Sequence, residues 1–191
     1  MADEALKFGG LGNSKKFRDM GDDTHAEVVH AAGAVVVVRV EKTRPSDTTG
    51  YTANDAISES TSAGTTWAFA VGRTAVGSGT IVGAQVATDD TACVVRYELD
   101  LYDDTITAIN DNVEATRLYA NQGKFLQSIT FPALAKKTTN STQAEAANTD
   151  VRVPFKCVGS SSIYGILRTL DADASPVSQA KVRVSLAAVQ D

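Results

Sequence analysis

The chain is poor in the side chains that usually carry chemistry. Two histidines, two cysteines and one tryptophan occur in 191 residues. His25 and His30 stand five positions apart with no cysteine nearby, which matches no zinc-ligand spacing. Cys93 and Cys157 each fall in a strand-like stretch and read as buried free thiols, since nothing marks an oxidising compartment. Aromatic residues make up only 6%. That argues against a sugar-binding sandwich, whose natural platform here would be Trp67, Tyr51 and Tyr164 beside the loop aspartates.

Positive charge is also scarce. A net charge of −5 excludes a general nucleic-acid coat, which needs clustered lysine and arginine to displace counterions. No run approaches the ~20 apolar residues of a membrane helix. The opening MADEALKF has acids where a signal peptide has its apolar core, so a soluble protein without membrane contact is expected. Catalytic motifs are missing as well. There is no GxSxG, and the serines at 160–162 have no evident base. The segment GGLGNSKK at 9–16 misses the phosphate-loop spacing. The pairs Asp22-Asp23, Asp89-Asp90 and Asp103-Asp104 lack the calcium-loop pattern and read as turn residues. No enzyme, cofactor or metal is expected.

What the chain has in abundance is threonine, valine, alanine, serine and glycine. Valine and threonine suit a pleated, half-buried surface, so the composition favours sheet. The clearest strand is CVVRYELDLY at 93–102. Val95, Tyr97, Leu99 and Leu101 fall on one side, with Arg96, Glu98 and Asp100 on the other. This strand is expected to form a hairpin with the one at 80–88, turning at Asp89-Asp90.

The run Val35–Val38 lacks alternation and suits burial on both faces, at a sheet interface or in an assembly. Two short strands with a turn at 32–34 fit residues 26–42. TRPSDTTGYTA at 43–53 reverses the chain. Residues 67–71, 124–131, 151–157, 162–171 and 179–189 read as further strands, Pro154 marking an edge or a bulge. Residues 111–121 fit either a short helix capped by Asp111 or a loop. The polar stretch 136–150 reads as an exposed, mobile loop.

About eight to ten strands with long connections suit an all-β, two-sheet antiparallel sandwich of the jelly-roll type. The expected organisation is an N-terminal arm with a first short strand at 1–33 and a sandwich body at 34–191. The glycine- and charge-rich arm has too little apolar surface to fold alone.

Two stretches carry a resemblance. RDMGDDTHAEVV at 18–29, followed by TRPSDTTGYTAND at 43–55, is similar to a family of tailed-bacteriophage virion structural proteins with R-D-x-G-D-G-T-H-A-E and T-R-P-x-D-T-x-x-Y-x-x-x-D stretches. ITFPAL at 129–134, Val153-Pro154-Phe155, LRTLD at 167–171 and the final Val189-Gln190-Asp191 extend the likeness over nearly the whole chain. Asp23 stands where that family usually has glycine.

The resemblance implies a non-enzymatic capsid decoration, or cement, protein on the virion exterior, contacting the major capsid protein and associating with itself, commonly as a homotrimer. A tail, baseplate or adaptor role is the alternative. On this reading the arm residues Lys7, Phe8, Lys15, Lys16, Phe17, Arg18, Asp22 and His25 make the capsid contact.

Overall fold

A computed structural model describes residues 34–191 throughout and, before them, the backbone of two short strands. The chain divides into two units, Met1–Gly33 and Ala34–Asp191. In the first, β1 (Lys16–Asp19) pairs antiparallel with β2 (His25–Val28). The stretch expected to hold one short strand, at its end, therefore contains a hairpin. The turn expected at 32–34 is only partly within the described residues.

The second unit holds nine strands: β3 (Val35–Thr43), β4 (Trp67–Phe69), β5 (Ser78–Thr88), β6 (Tyr97–Tyr102), β7 (Phe125–Thr130), β8 (Ala144–Asn148), β9 (Val153–Lys156), β10 (Ile163–Thr169) and β11 (Lys181–Gln190). One sheet runs β4-β10-β6-β7; the other runs β3-β11-β5, with β8 and β9 end to end along the far side of β5. All pairings are antiparallel, and those of β3 with β11, β4 with β10, β5 with β8 and β9, and β6 with β7 are nested. A long hairpin rolled on itself gives this order, and it is the jelly roll expected from the sequence.

The core is filled from both sheets. Phe69, Leu99, Leu101, Ile163 and Leu167 come from one, and Ile81, Val86, Val184 and Leu186 from the other; all are fully buried. Strand β10 shows why the sequence folds this way: Ile163, Gly165, Leu167 and Thr169 are buried while the intervening residues are half-exposed, the period-two pattern of a one-sided sheet. Gly165 lies where β10 crosses Leu99. A Cβ there would stand 2.9 Å from Leu99 Cδ1, so any larger residue would have to displace the Leu99 side chain.

Three expectations are corrected, and one open alternative is decided. Strands β5 and β6 do not form a hairpin, because they lie in different sheets and residues 89–96 carry the chain between them. Asp89 caps the amide of Lys181, and Asp90 caps those of Ala92 and Val177; these aspartates fix a crossover, not a tight turn.

The polar stretch 136–150 is not wholly a loop, since it contains β8. Alanine hides the alternation there: Ala144 and Ala146 are buried, yet carry little hydropathy. Residues 111–121 form an irregular connection with one 3-10 turn, Tyr119–Asn121. Asp111 does not cap a helix, because its carboxylate is used in the interior. Finally, Val35 and Val37 are exposed, at 67% and 46%. In the single chain β3 alternates after all, with only Val36, Val38 and Val40 packed against the core. Pro154 lies on an edge strand as expected: β9 pairs only with β5, and Pro154 is exposed.

Candidate functional site

Of the eight residues expected to contact a capsid, Lys16, Phe17 and Arg18 lie on β1 and His25 on β2. In the hairpin register Lys16 faces Val28, Phe17 faces Glu27, Arg18 faces Ala26 and Asp19 faces His25. Pairing brings Arg18 and His25 to neighbouring rungs. Lys7, Phe8, Lys15 and Asp22 lie outside the described residues.

The motif at 43–55 resolves into a buried polar cluster rather than a surface. Arg44 is 5% exposed, and its guanidinium stacks on the Tyr51 ring at 4.4 Å. Arg44 Nε donates to the Tyr51 hydroxyl, and Nη1 donates to the carbonyl of Val177 at 3.0 Å. Tyr51 in turn donates to Asp111, whose oxygens lie 2.9 and 3.0 Å away. Asp111 also accepts the amide of Ser58 at 2.8 Å. Burial pushes the Asp111 carboxyl up against the pull of its donors, and burial with the neighbouring Asp111 charge raises the Tyr51 phenol.

Asp55 closes the motif by accepting the amide and hydroxyl of Thr52 at 2.6 and 2.9 Å. Asn54 follows the same turn with φ of 74°, a left-handed conformation that asparagine tolerates. The motif thus staples the β3–β4 connection to the segments before β7 and β11.

A second cluster lies on the face of β6 turned away from the core. Asp100, expected to be solvated, is 3% exposed. The connection after β6 folds back over the sheet, and Arg117 reaches Asp100 at 2.7 Å and Ser128 at 2.8 Å. Arg168 of β10 pairs with Glu98 and donates to Asn54 at 2.8 Å. Sheet strands rarely bury carboxylates unpaired, and here two arginines supply the counter-charge.

The third cluster surrounds Lys42 at the end of β3. Its ammonium binds Glu59 at 2.6 Å, Thr65 Oγ1 at 3.0 Å and the Thr65 carbonyl, 5.3 Å from the Trp67 ring centroid. Burial pulls the Lys42 amine below its ordinary range. Burial pushes Glu59 up, but hydrogen bonds from Lys42 and Thr65 outweigh it and hold the carboxyl at about 2.

Apart from Arg44 Nη2 and Arg168 Nε, which are buried without a hydrogen-bond partner, the clusters satisfy their groups internally, and among the described residues they leave no open arrangement of acid, base and nucleophile. Ser160 Oγ shares its hydrogen bonds with Tyr164 and the amide of Ser162, forming a turn. Among the described residues no three histidine, cysteine or acidic side chains gather as a metal site. One open depression, of about 290 Å³, is lined by Asp90, Cys93, Val95 and Asp173 among others; another, of about 150 Å³, lies beside Glu41, Lys181 and Arg183.

Of the three rings of the expected sugar platform, Trp67 and Tyr51 are interior, at 1% and 3% exposure, and Tyr164 is half-buried and bonded to Ser160. Trp67 donates from its indole to the Ile57 carbonyl at 3.1 Å. Among the described residues the exposed aromatic is instead Tyr119, at 91% beside half-exposed Leu118. Sequence reasoning missed it because it sits in a segment without periodicity. No family model, no curated protein and no solved structure matches the chain.

Proposed function

We propose that this chain is a capsid decoration protein of a tailed bacteriophage, binding the outer surface of the head and stapling neighbouring major capsid subunits. The observation that carries the reading is the motif at 43–55, together with RDMGDDTHAEVV at 18–29, both similar to that family of virion structural proteins. The jelly-roll body supports it as a rigid module of a kind such proteins use. The internal role of Arg44, Tyr51 and Asp111 explains why this pattern goes with the fold.

Because those motif residues are consumed in the body, contact with the shell falls to the separate N-terminal unit. Its Lys16, Phe17, Arg18 and His25 are carried by the β1–β2 hairpin, with Lys7, Phe8, Lys15 and Asp22 beside them in sequence. A segment that orders on its target can wrap a wide surface, and many symmetric copies compensate for a weak single contact.

Deleting residues 1–25 should abolish binding to purified capsids while the body keeps its β circular dichroism. Full occupancy by the shortened chain would overturn the reading. Densitometry of virions offers an independent check. A decoration protein is present in hundreds of copies, and a count of a few to dozens would favour a tail or baseplate component instead.

A further inference from the structure

The two edges of the larger sheet are built differently. The far edge is broken into two short strands, β8 and β9, with Pro154 in the second. Such interruptions and prolines are how sheets avoid pairing with other chains. The near edge, β3, is nine residues long with no proline, and its ladder with β11 runs without a bulge. Among the described residues no strand pairs with the outer side of β3.

The polarity of that edge follows from its partner strand. Gln190 donates to the Ala34 carbonyl and Arg44 donates to the Ala180 carbonyl. In an antiparallel ladder each residue sends both its N–H and C=O to the same side, and sides alternate. Residues 34, 36, 38, 40, 42 and 44 therefore bond to β11. Val35, Val37, Arg39, Glu41 and Thr43 direct their amides and carbonyls away from it. The same five side chains are exposed.

We propose that this edge pairs antiparallel with β3 of a second copy about a twofold axis, placing Arg39 opposite Glu41 of the partner subunit and Glu41 opposite Arg39 of the partner subunit. Shifting the register by two residues would set Arg39 against its own copy, a like-charge pair that destabilises a ladder. Shifting it by four in either direction would leave both charges opposite uncharged residues. The chosen register puts four outward-directed residues of each copy, Val37, Arg39, Glu41 and Thr43, into hydrogen-bonded pairs. It centres the twofold on Val40, whose half-buried side chain and that of Val38 gain cover. Glu41 already accepts Arg183 at 2.5 Å and lies 3.6 Å from Lys181, so its carboxylate is held at the edge. The product is one sheet continuous across two subunits. This inference stands independently of the capsid reading, and its twofold differs from the trimer implied by the family resemblance.

The test is sedimentation of the full chain up to about 1 mM, a concentration at which even weak association shows, with amide exchange followed by NMR. A monomer–dimer equilibrium is expected, with the amides of Val37, Arg39, Glu41 and Thr43 at least about tenfold more protected at high than at low concentration. Val37→Pro removes only an outward amide, so it should abolish the dimer while leaving circular dichroism unchanged. R39E and E41R should each weaken self-association, and an equimolar mixture should restore it, because each then meets opposite charge on the other.

A monomer throughout, a trimer with these amides exchanging freely, or a dimer indifferent to Val37→Pro would overturn the pairing. So would association that disappears only on removing residues 1–33. Failure of the mixture to restore the dimer would overturn the register.

Discussion

Tyr51 and Asp111, sixty residues apart, meet through a buried hydroxyl–carboxylate hydrogen bond of 2.9 Å, with the Arg44 guanidinium stacked on the tyrosine ring. Asp111→Ala would remove the buried counter-charge of Arg44 and leave it the Tyr51 hydroxyl, the Val177 carbonyl and the partly exposed Asp47 carboxylate at 3.9 Å. Loss of about 3 to 5 kcal/mol is expected from urea unfolding. Tyr51→Phe keeps the stacking and should cost about 1 to 3 kcal/mol. Equal effects of the two substitutions would show that the buried charge is not what the cluster balances.

Leu99 and Gly165 form a tight contact between β6 and β10. Leu99→Ala should cost about 2 to 5 kcal/mol, because Leu99 is fully buried and its removal leaves a cavity. Gly165→Ala alone should also destabilise, since its Cβ would crowd Leu99 Cδ1. In the double variant the new methyl enters the space the leucine vacated. The combined loss should therefore fall short of the sum by about 1 kcal/mol or more; additivity in a double-mutant cycle would contradict the contact. Binding by the folded Leu99→Ala chain should be unchanged.

The Lys42–Glu59 pair sets an acid limit on stability. Glu59 is held at about 2 in the folded chain against an ordinary value near 4.5. A carboxyl depressed by folding contributes stability that is full above its unfolded value and is lost as pH falls through its folded value. The contribution should fade between pH 4.5 and 2. Partial solvent exposure screens the pair, so about 1 kcal/mol is expected. Glu59→Gln should flatten the stability curve of denaturant titrations in that window; an unchanged slope would refute the assignment.

Cys93 and Cys157 are free and buried, at 6% and 1% exposure, and burial pushes both thiols up. A thiol reagent should label neither in the native chain at neutral pH and both after unfolding. Rapid native labelling of either would show that the sheets open locally.

Strand content and the inward set around β6 were legible because valine, tyrosine and leucine alternate there with charged residues. Three other features were not. Ala144 and Ala146 bury a strand with almost no hydropathy. Asp100 looks solvated until a distant connection delivers Arg117, and no local pattern encodes that arrival. The crossover at Asp89-Asp90 reads like a hairpin turn because aspartate satisfies loop amides in either setting. The motif residues Arg44 and Asp55 stand out only through family likeness, Tyr51 otherwise only as an aromatic ring, and their internal role emerges from their partners.

Strand β11 lies between β3 and β5, bonded to both along nearly its whole length. It follows every other strand of the body in the chain. During synthesis the larger sheet therefore has a gap at its centre until residues 181–190 leave the ribosome, and the strands already made have no ladder partner there. Closure of the sandwich is a late, all-at-once event governed by long-range pairing. A stop codon before β11 should leave a chain that cannot be rescued as a smaller domain.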